Sequence, residues 1–135
     1  MHEFGIACSI LETVREEAEK RPESRLLKVG VRIGEISGVE PDALTFSFDA
    51  LVEGSELAPL DLVIERTPRR HLCPECQHKF AVVGYEVACP KCAEQRTRCI
   101  GGFEMEIAYL ELEDREKWVA AQARAGTTGT TGTNR

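Results

Sequence analysis

No stretch of this 135-residue chain approaches the ~20 consecutive apolar residues that a membrane-spanning helix needs. The opening residues, MHEFGIACSI, lack the basic segment that precedes the apolar core of a secretory signal. The chain is therefore expected in the cytoplasm, with no role at a membrane. In that reducing environment its six cysteines read as metal ligands or plain thiols rather than disulfides. Positive charge is short: 17 Lys and Arg against 23 Asp and Glu leave a net −6, which speaks against a generic nucleic-acid binder. There is no Ser/His/Asp set, no phosphate-cradling glycine loop and no metal motif with an open coordination position, so no enzyme is expected. What remains, 42% apolar and 30% charged, suffices for one ordinary domain or a small one carrying an insert.

Apolar side chains at Phe4, Ala7, Leu11, Val14 and Ala18, with Ile10 beside them, form one stripe of an amphipathic helix. Pro22 places its end near Lys20. Leu27, Val29, Val31 and Ile33 then alternate with polar or small residues, the pattern of a half-buried strand. Pro41 and Asp42 read as the first turn of a second helix with the stripe Leu44, Phe48, Leu51 and Val52, closed by Gly54 and Ser55. A second strand follows at Leu60, Leu62 and Ile64, and a last one runs from Phe103 through Met105 and Ile107 to Leu112. The expected fold class is α+β: a small mixed three-stranded sheet with two helices, plus an inserted four-cysteine module like a zinc ribbon. The two strands flanking the second helix should be parallel. The strand from Phe103 should pair antiparallel with Leu60–Ile64. Residues 1–70 and 101–113 form the discontinuous α/β domain, 71–100 the insert, and 114–135 a mostly disordered extension. That extension holds a candidate short helix over Arg115–Arg124 around Trp118 and a Gly/Thr-rich end, residues 126–135, too poor in apolar area to order itself.

The insert holds Cys73-Pro-Glu-Cys76 and, twelve residues on, Cys89-Pro-Lys-Cys92. Each C-x-x-C turn aims two thiolates at one point. Phe80, Val82, Val83, Tyr85 and Val87 can form a short hairpin that sets the pairs opposite each other. Four thiolates at about 2.3 Å make a tetrahedral Zn(II) site, closed to water and hence structural. A redox dithiol would call for a helix start in a βαβ setting, which is absent here; iron is the other alternative. His71 and His78 flank the first pair as surface residues or as hydrogen-bond donors to the zinc ligands. Cys8 and Cys99 read as packed thiols.

His2 follows Met1 directly. A bulky second residue generally keeps Met1 in place, so the Met1 α-amine, the His2 amide nitrogen and the His2 Nδ1 can form fused chelate rings. A further nitrogen, such as the Glu3 amide, completes a plane suited to Ni(II) or Cu(II). From composition and position alone, the plainer reading prevails: a histidine here is an exposed, frayed residue.

Taken together, Met1-His2-Glu3 leading into an apolar-striped helix, the segment Gly34-Glu35-Ile36-Ser37, the paired C-P-x-C turns and the ending Gly102-Phe103-Glu104-Met105 resemble the HypA/HybF family of nickel metallochaperones. The resemblance covers residues 1–113. It implies a nickel domain with an inserted zinc domain, nickel centred on His2 with Met1 and Glu3, and an acidic neighbour at Glu40, where relatives carry Asp. It further implies Ni(II) as cargo and Zn(II) as structural metal. The implied partners are a GTP-hydrolysing nickel chaperone and the precursor of the [NiFe]-hydrogenase large subunit, with urease as a further recipient. The rival reading is a zinc-ribbon adaptor for nucleic acid or protein. Residues 69–100 carry six basic against three acidic side chains, which supports it weakly. The insert, however, offers few aromatics for base stacking.

Overall fold

The structure, a computed structural model, describes residues 2–116 and residue 123. Met1, the rest of the expected helical extension and the Gly/Thr tail lie outside the described residues. The elements run α1 (His2–Glu19), β1 (Ser24–Gly34), α2 (Pro41–Val52), β2 (Asp61–Thr67), β3 (Arg70–Leu72), β4 (Lys79–Ala81), β5 (Arg98–Gly101) and β6 (Met105–Asp114).

Both helices pack on one face of a sheet ordered β2-β1-β6. Between them and the sheet lie Ala7, Ile10, Leu11 and Val14 of α1, Leu44, Phe48 and Val52 of α2, and Leu26, Val29, Val31 and Ile33 of β1. Pro41 at the first helical position and Gly54 at positive φ bound α2 as its sequence signals. The opposite sheet face carries charged side chains beside the partly exposed Val63 and Tyr109. Arg32 there reaches Glu65 on β2 (3.3 Å) and Glu106 on β6 (2.6 Å).

Several expectations are corrected. β1 and β2 are parallel as expected, but β6 pairs antiparallel with β1, not with β2. The reason is length: ten-residue β6 finds a full-length partner only in eleven-residue β1, whereas β2 has seven residues. Leu27 is also not part of the buried row. A bulge between Leu26 and Lys28 shifts the alternation, so Leu26 points into the core instead. Phe4 is 56% exposed and Phe103, 58% exposed, precedes the last strand instead of opening it.

The insert builds its own antiparallel sheet, β4-β3-β5. Its hairpin is β3–β4, closed around the first cysteine pair. The expected hairpin over residues 80–87 is reduced to a tight turn with one bridge, Val83 to Glu86, and leaves Tyr85 fully exposed. The chain leaves the main sheet from one edge strand, β2, and returns into the other, β6. The loop after β1 fills the gap between these two crossings. Glu35 N–H donates to the Thr67 carbonyl (2.8 Å), while Gly34 N–H and Ile36 N–H donate to the Glu104 and Gly102 carbonyls (2.7 Å each). The Glu35 carboxylate accepts from Arg69 N–H (2.8 Å), and that of Glu104 from the Thr67 hydroxyl (2.7 Å) and Gly102 N–H (3.0 Å). The Thr67 hydroxyl above all holds the Glu104 carboxyl below the usual carboxylate range, so this clasp is fully made at neutral pH and weakens as the solution turns acid.

Gly34 is essential to that closeness. A Cβ there would lie 2.1 Å from the Gly102 carbonyl oxygen and 2.7 Å from the Glu104 nitrogen, both backbone atoms. Gly34→Ala is therefore expected to cost about 3 kcal/mol and lower the melting temperature by roughly 10 °C. Gly38→Ala, where φ is +85° but a Cβ meets nothing, should cost only about 1 kcal/mol. Equal melting temperatures in calorimetry would contradict the close crossing.

Candidate metal centres

All four cysteines of the two C-x-x-C turns converge: their Sγ atoms lie within 4.8 Å of one another. Two identical turns bring this about. Cys73 N–H donates to the His78 carbonyl (2.9 Å), and the Cys73 carbonyl accepts from Gln77 N–H (2.8 Å). Cys89 repeats both bonds with Glu94 and Ala93, at 2.9 Å each. The residue closing each turn, Gln77 or Ala93, sits at positive φ, 64° and 68°. The first cysteine of each pair, Cys73 or Cys89, is buried, and the second, Cys76 or Cys92, is exposed. Across the pairs, Cys73 Sγ lies 3.5 Å from Cys92 Sγ and Cys76 Sγ 3.6 Å from Cys89 Sγ.

A tetrahedron of sulfurs about 2.3 Å from a central ion has edges of about 3.8 Å, close to the two cross-pair separations of 3.5 and 3.6 Å. As thiols the four are unequal. Burial pushes the Cys89 thiol up, but the N–H groups of Cys92 and Lys91, with the Cys76 and Cys92 thiols, bring it down to about 7. Glu94 N–H pulls Cys92 down, yet the Cys73 thiol, burial and the other sulfurs push it up to about 12. A sulfur whose thiolate is favoured by backbone N–H groups suits a soft or borderline cation.

Of the two histidines of the insert, His78 bonds through its backbone N–H to the Cys76 thiol, while His71 departs from expectation. His71 is not a surface residue but is buried. Arg69 Nε–H can only donate, so His71 Nε2 accepts from it (3.0 Å). Nδ1 then carries the proton and donates to Thr97 Oγ1 (2.8 Å), whose hydroxyl donates to the Val87 carbonyl. Burial, and after it the Arg69 charge, push its pKa below the ordinary value. With both ring nitrogens engaged, His71 is a strut joining β3 to the segment before β5. His78 stacks on Phe80, centroids 5.9 Å apart. Cys99 is half-buried, while Cys8 is exposed on α1, against the expectation of a packed thiol.

Helix α1 begins at His2, whose side chain is exposed; Met1 lies outside the described residues. The structure brings Glu3 and Glu40 together. Glu40 caps α2, its carboxylate accepting from Ala43 N–H (2.8 Å), and its own N–H donates to Glu3 Oε2 (2.9 Å). That N–H above all holds the Glu3 carboxyl below its usual range. The two carboxylates thus bind backbone N–H groups and pin the start of α1 beside the start of α2, with His2 at the junction. Sequence reading placed Glu40 near the site but not as a helix cap, although an acidic residue just before Pro41 is the signal for one. It missed Glu35 and Glu104 as clasp residues altogether.

A family model described as hydrogenase/urease nickel incorporation, metallochaperone, hypA, matches residues 1–112. The hydrogenase maturation factor HypA of Geobacter metallireducens is 40% identical over 113 residues, 84% of this chain and all of that protein. That of Desulfatibacillum aliphaticivorans is 31% identical over 126 residues, 93% of this chain and 97% of its own. Among solved structures, the solution structure of the Ni metallochaperone HypA from Helicobacter pylori is 26% identical, covers 85% of this chain and 100% of that one, and superposes with a TM-score of 0.57. A second HypA solution structure, also 26% identical, covers 84% and 97% with a TM-score of 0.63.

Proposed function

Because the chain belongs to the HypA family of hydrogenase/urease nickel-incorporation metallochaperones, we propose that it carries Ni(II) on its N-terminus and delivers it during maturation of a [NiFe]-hydrogenase. The observation that carries this reading is the position of His2: exposed, at the first residue of α1, at a junction held by Glu3 and Glu40. Nickel is anchored by the His2 imidazole together with the Met1 amine and backbone nitrogens, Glu3 among them. The Glu3 carboxylate keeps the chelating end of the chain in place, with Glu40 as its support. Square-planar nitrogen ligation of this kind suits Ni(II), and a site at a chain end is easily presented to a receiver.

The four sulfurs hold Zn(II) with a structural role. A closed tetrahedral shell of thiolates supplies folding energy to a module too small to fold on apolar burial alone, and it releases its ion slowly. The two centres thus have opposite duties, retention and release. The chain acts as a carrier and not as a catalyst. It works in the cytoplasm with a GTP-hydrolysing nickel chaperone and the hydrogenase large-subunit precursor, and urease is a further recipient. No helix among the described residues is long and apolar enough to cross a membrane.

The test adds one residue ahead of Met1. Blocking the α-amine in this way should remove tight nickel binding and leave one zinc per chain, as read by calorimetric titration and metal analysis. Unchanged nickel affinity in the extended protein would exclude a chelate built on the terminus.

A further inference from the structure

Residues paired across a sheet share a face. In the insert, Leu72 of β3 pairs with Lys79 of β4 on one side and with Arg98 of β5 on the other, so the three form one row across the sheet. Two residues back along β3, and hence on the same face, Arg70 pairs with Ala81 and Gly101. His71 and its partners Phe80 and Cys99 belong to the opposite face. Lys79, Arg98 and Arg70 are exposed, and Leu72 between them is half-buried. Strands β3, β4 and β5 contain no Asp or Glu.

The main sheet settles such charges within the chain. By register, Arg32 on its middle strand stands between Glu65 and Glu106, and Lys28 between Asp61 and Glu111. Arg32 bonds to both of its carboxylates. The insert reverses the order: an apolar residue on the middle strand, a cation on each side and no carboxylate in the row. Among the described residues, the side chains of Lys79 and Arg98 make no hydrogen bond or ion pair. Arg70 is partly answered. Its guanidinium lies over Gly101, where a Cβ would come within 3.1 Å of Nη1, and its charge assists the Thr67 hydroxyl and backbone N–H groups in holding the Glu104 carboxyl low. Nor do the cysteine sulfurs occupy these cations: Cys76, Cys89 and Cys92 take backbone N–H groups.

We propose that this face docks an acidic segment of a partner protein, which sets one carboxylate against Lys79, one against Arg98 and an apolar side chain over Leu72. Lys79 and Arg98 stand two strand spacings apart, about 10 Å. A helix spans that distance from residue i to about i+7, with i+3 or i+4 between them. A nucleic acid fits less well. Three cations answer few phosphates of a long polyanion, the face offers no aromatic side chain for a base to stack on, and the whole chain carries −6. A second copy offering its acidic body to this face would make a head-to-tail contact, and such pairing does not stop at two copies. The inference stands apart from the nickel reading, since no residue of this face is a nickel ligand there.

The experiment titrates isotope-labelled, zinc-loaded protein with a stapled peptide of about 14 residues that carries two Glu about seven positions apart and Leu between them. A second peptide of the same composition has its two Glu side by side. Amide shifts should concentrate on residues 70–72, 79–81 and 98–101, and the rearranged peptide should bind at least about fivefold more weakly. Lys79→Glu combined with Arg98→Glu should weaken the first peptide by about tenfold or more, and Lys79→Gln combined with Arg98→Gln by at least about threefold. Zinc content should stay at the wild-type value in both; if the Glu pair loses zinc, the Gln pair decides. Undiminished binding by the Gln pair, equal binding of the two peptides, or shifts centred elsewhere would overturn the proposal. So would a DNA duplex or single-stranded RNA that binds this face more tightly than the peptide. Self-association in sedimentation that the Gln pair abolishes would overturn it too, since the occupant would then be a second copy.

Discussion

Replacing His2 by Ala is expected to abolish stoichiometric nickel binding, with a loss in affinity of at least about 100-fold, while zinc content and thermal stability stay at wild-type values. The magnitude follows from the weaker case: removing residues that merely orient a metal ligand costs about 10–100-fold, and here a ligand itself goes. Without the imidazole, the amine and amides at the terminus have little reason to lose their protons and close chelate rings. Stability should hold because the His2 side chain is exposed and belongs to no buried cluster. His71 cannot stand in, since both its ring nitrogens are engaged. The readout is calorimetric titration alongside visible absorption for planar nickel. A His2→Ala protein with wild-type nickel affinity would remove the terminal site from consideration.

Replacing any one of Cys73, Cys76, Cys89 or Cys92 by Ala should release zinc and unfold β3, β4 and β5 together. Structural zinc contributes apparent folding energies of about 10–16 kcal/mol at neutral pH, far more than three short strands of three or four residues can supply. The main sheet should survive, because its core of α1, α2 and β1 side chains contains no residue of the insert. Hydrogen exchange makes the boundary visible. Protection should vanish from Arg70 to Gly101 and persist at Val29, Val31 and Phe48, with a partial loss at Gly34 and Ile36, whose N–H groups reach Glu104 and Gly102. Equal loss in both sheets would show that the two fold as one unit.

Helices and strands were legible because their residues repeat at fixed periods, and the cysteine quartet because thiolates at C-x-x-C spacing have few other uses. The partner of β6 was not. Chain order suggested β2, whereas pairing followed strand length, which only the finished bounds of β1 reveal. The bulge at Leu26 and Lys28 escaped for a related reason: a single extra residue leaves the composition of an alternating run unchanged while turning one side chain over. Glu35 and Glu104 bond to residues 34 and 37 positions away, and contacts at such separations leave no periodic trace. Their neighbours Gly34 and Gly102 were read as parts of a family pattern; the physical reason for the glycines, backbone passing backbone, needed three dimensions.

The insert leaves through one edge strand and re-enters through the other, with β1 between them. Two strand spacings separate the exit from the entry, about 10 Å. Two attachment points, with the loop after β1 bonded to both crossings, hold the insert more firmly than a single tether would. The same spacing sets the rule for exchange of parts: a hairpin grafted in place of residues 70–101 must offer chain ends about 10 Å apart, and one whose ends meet side by side at a single strand spacing would pull β2 and β6 out of register.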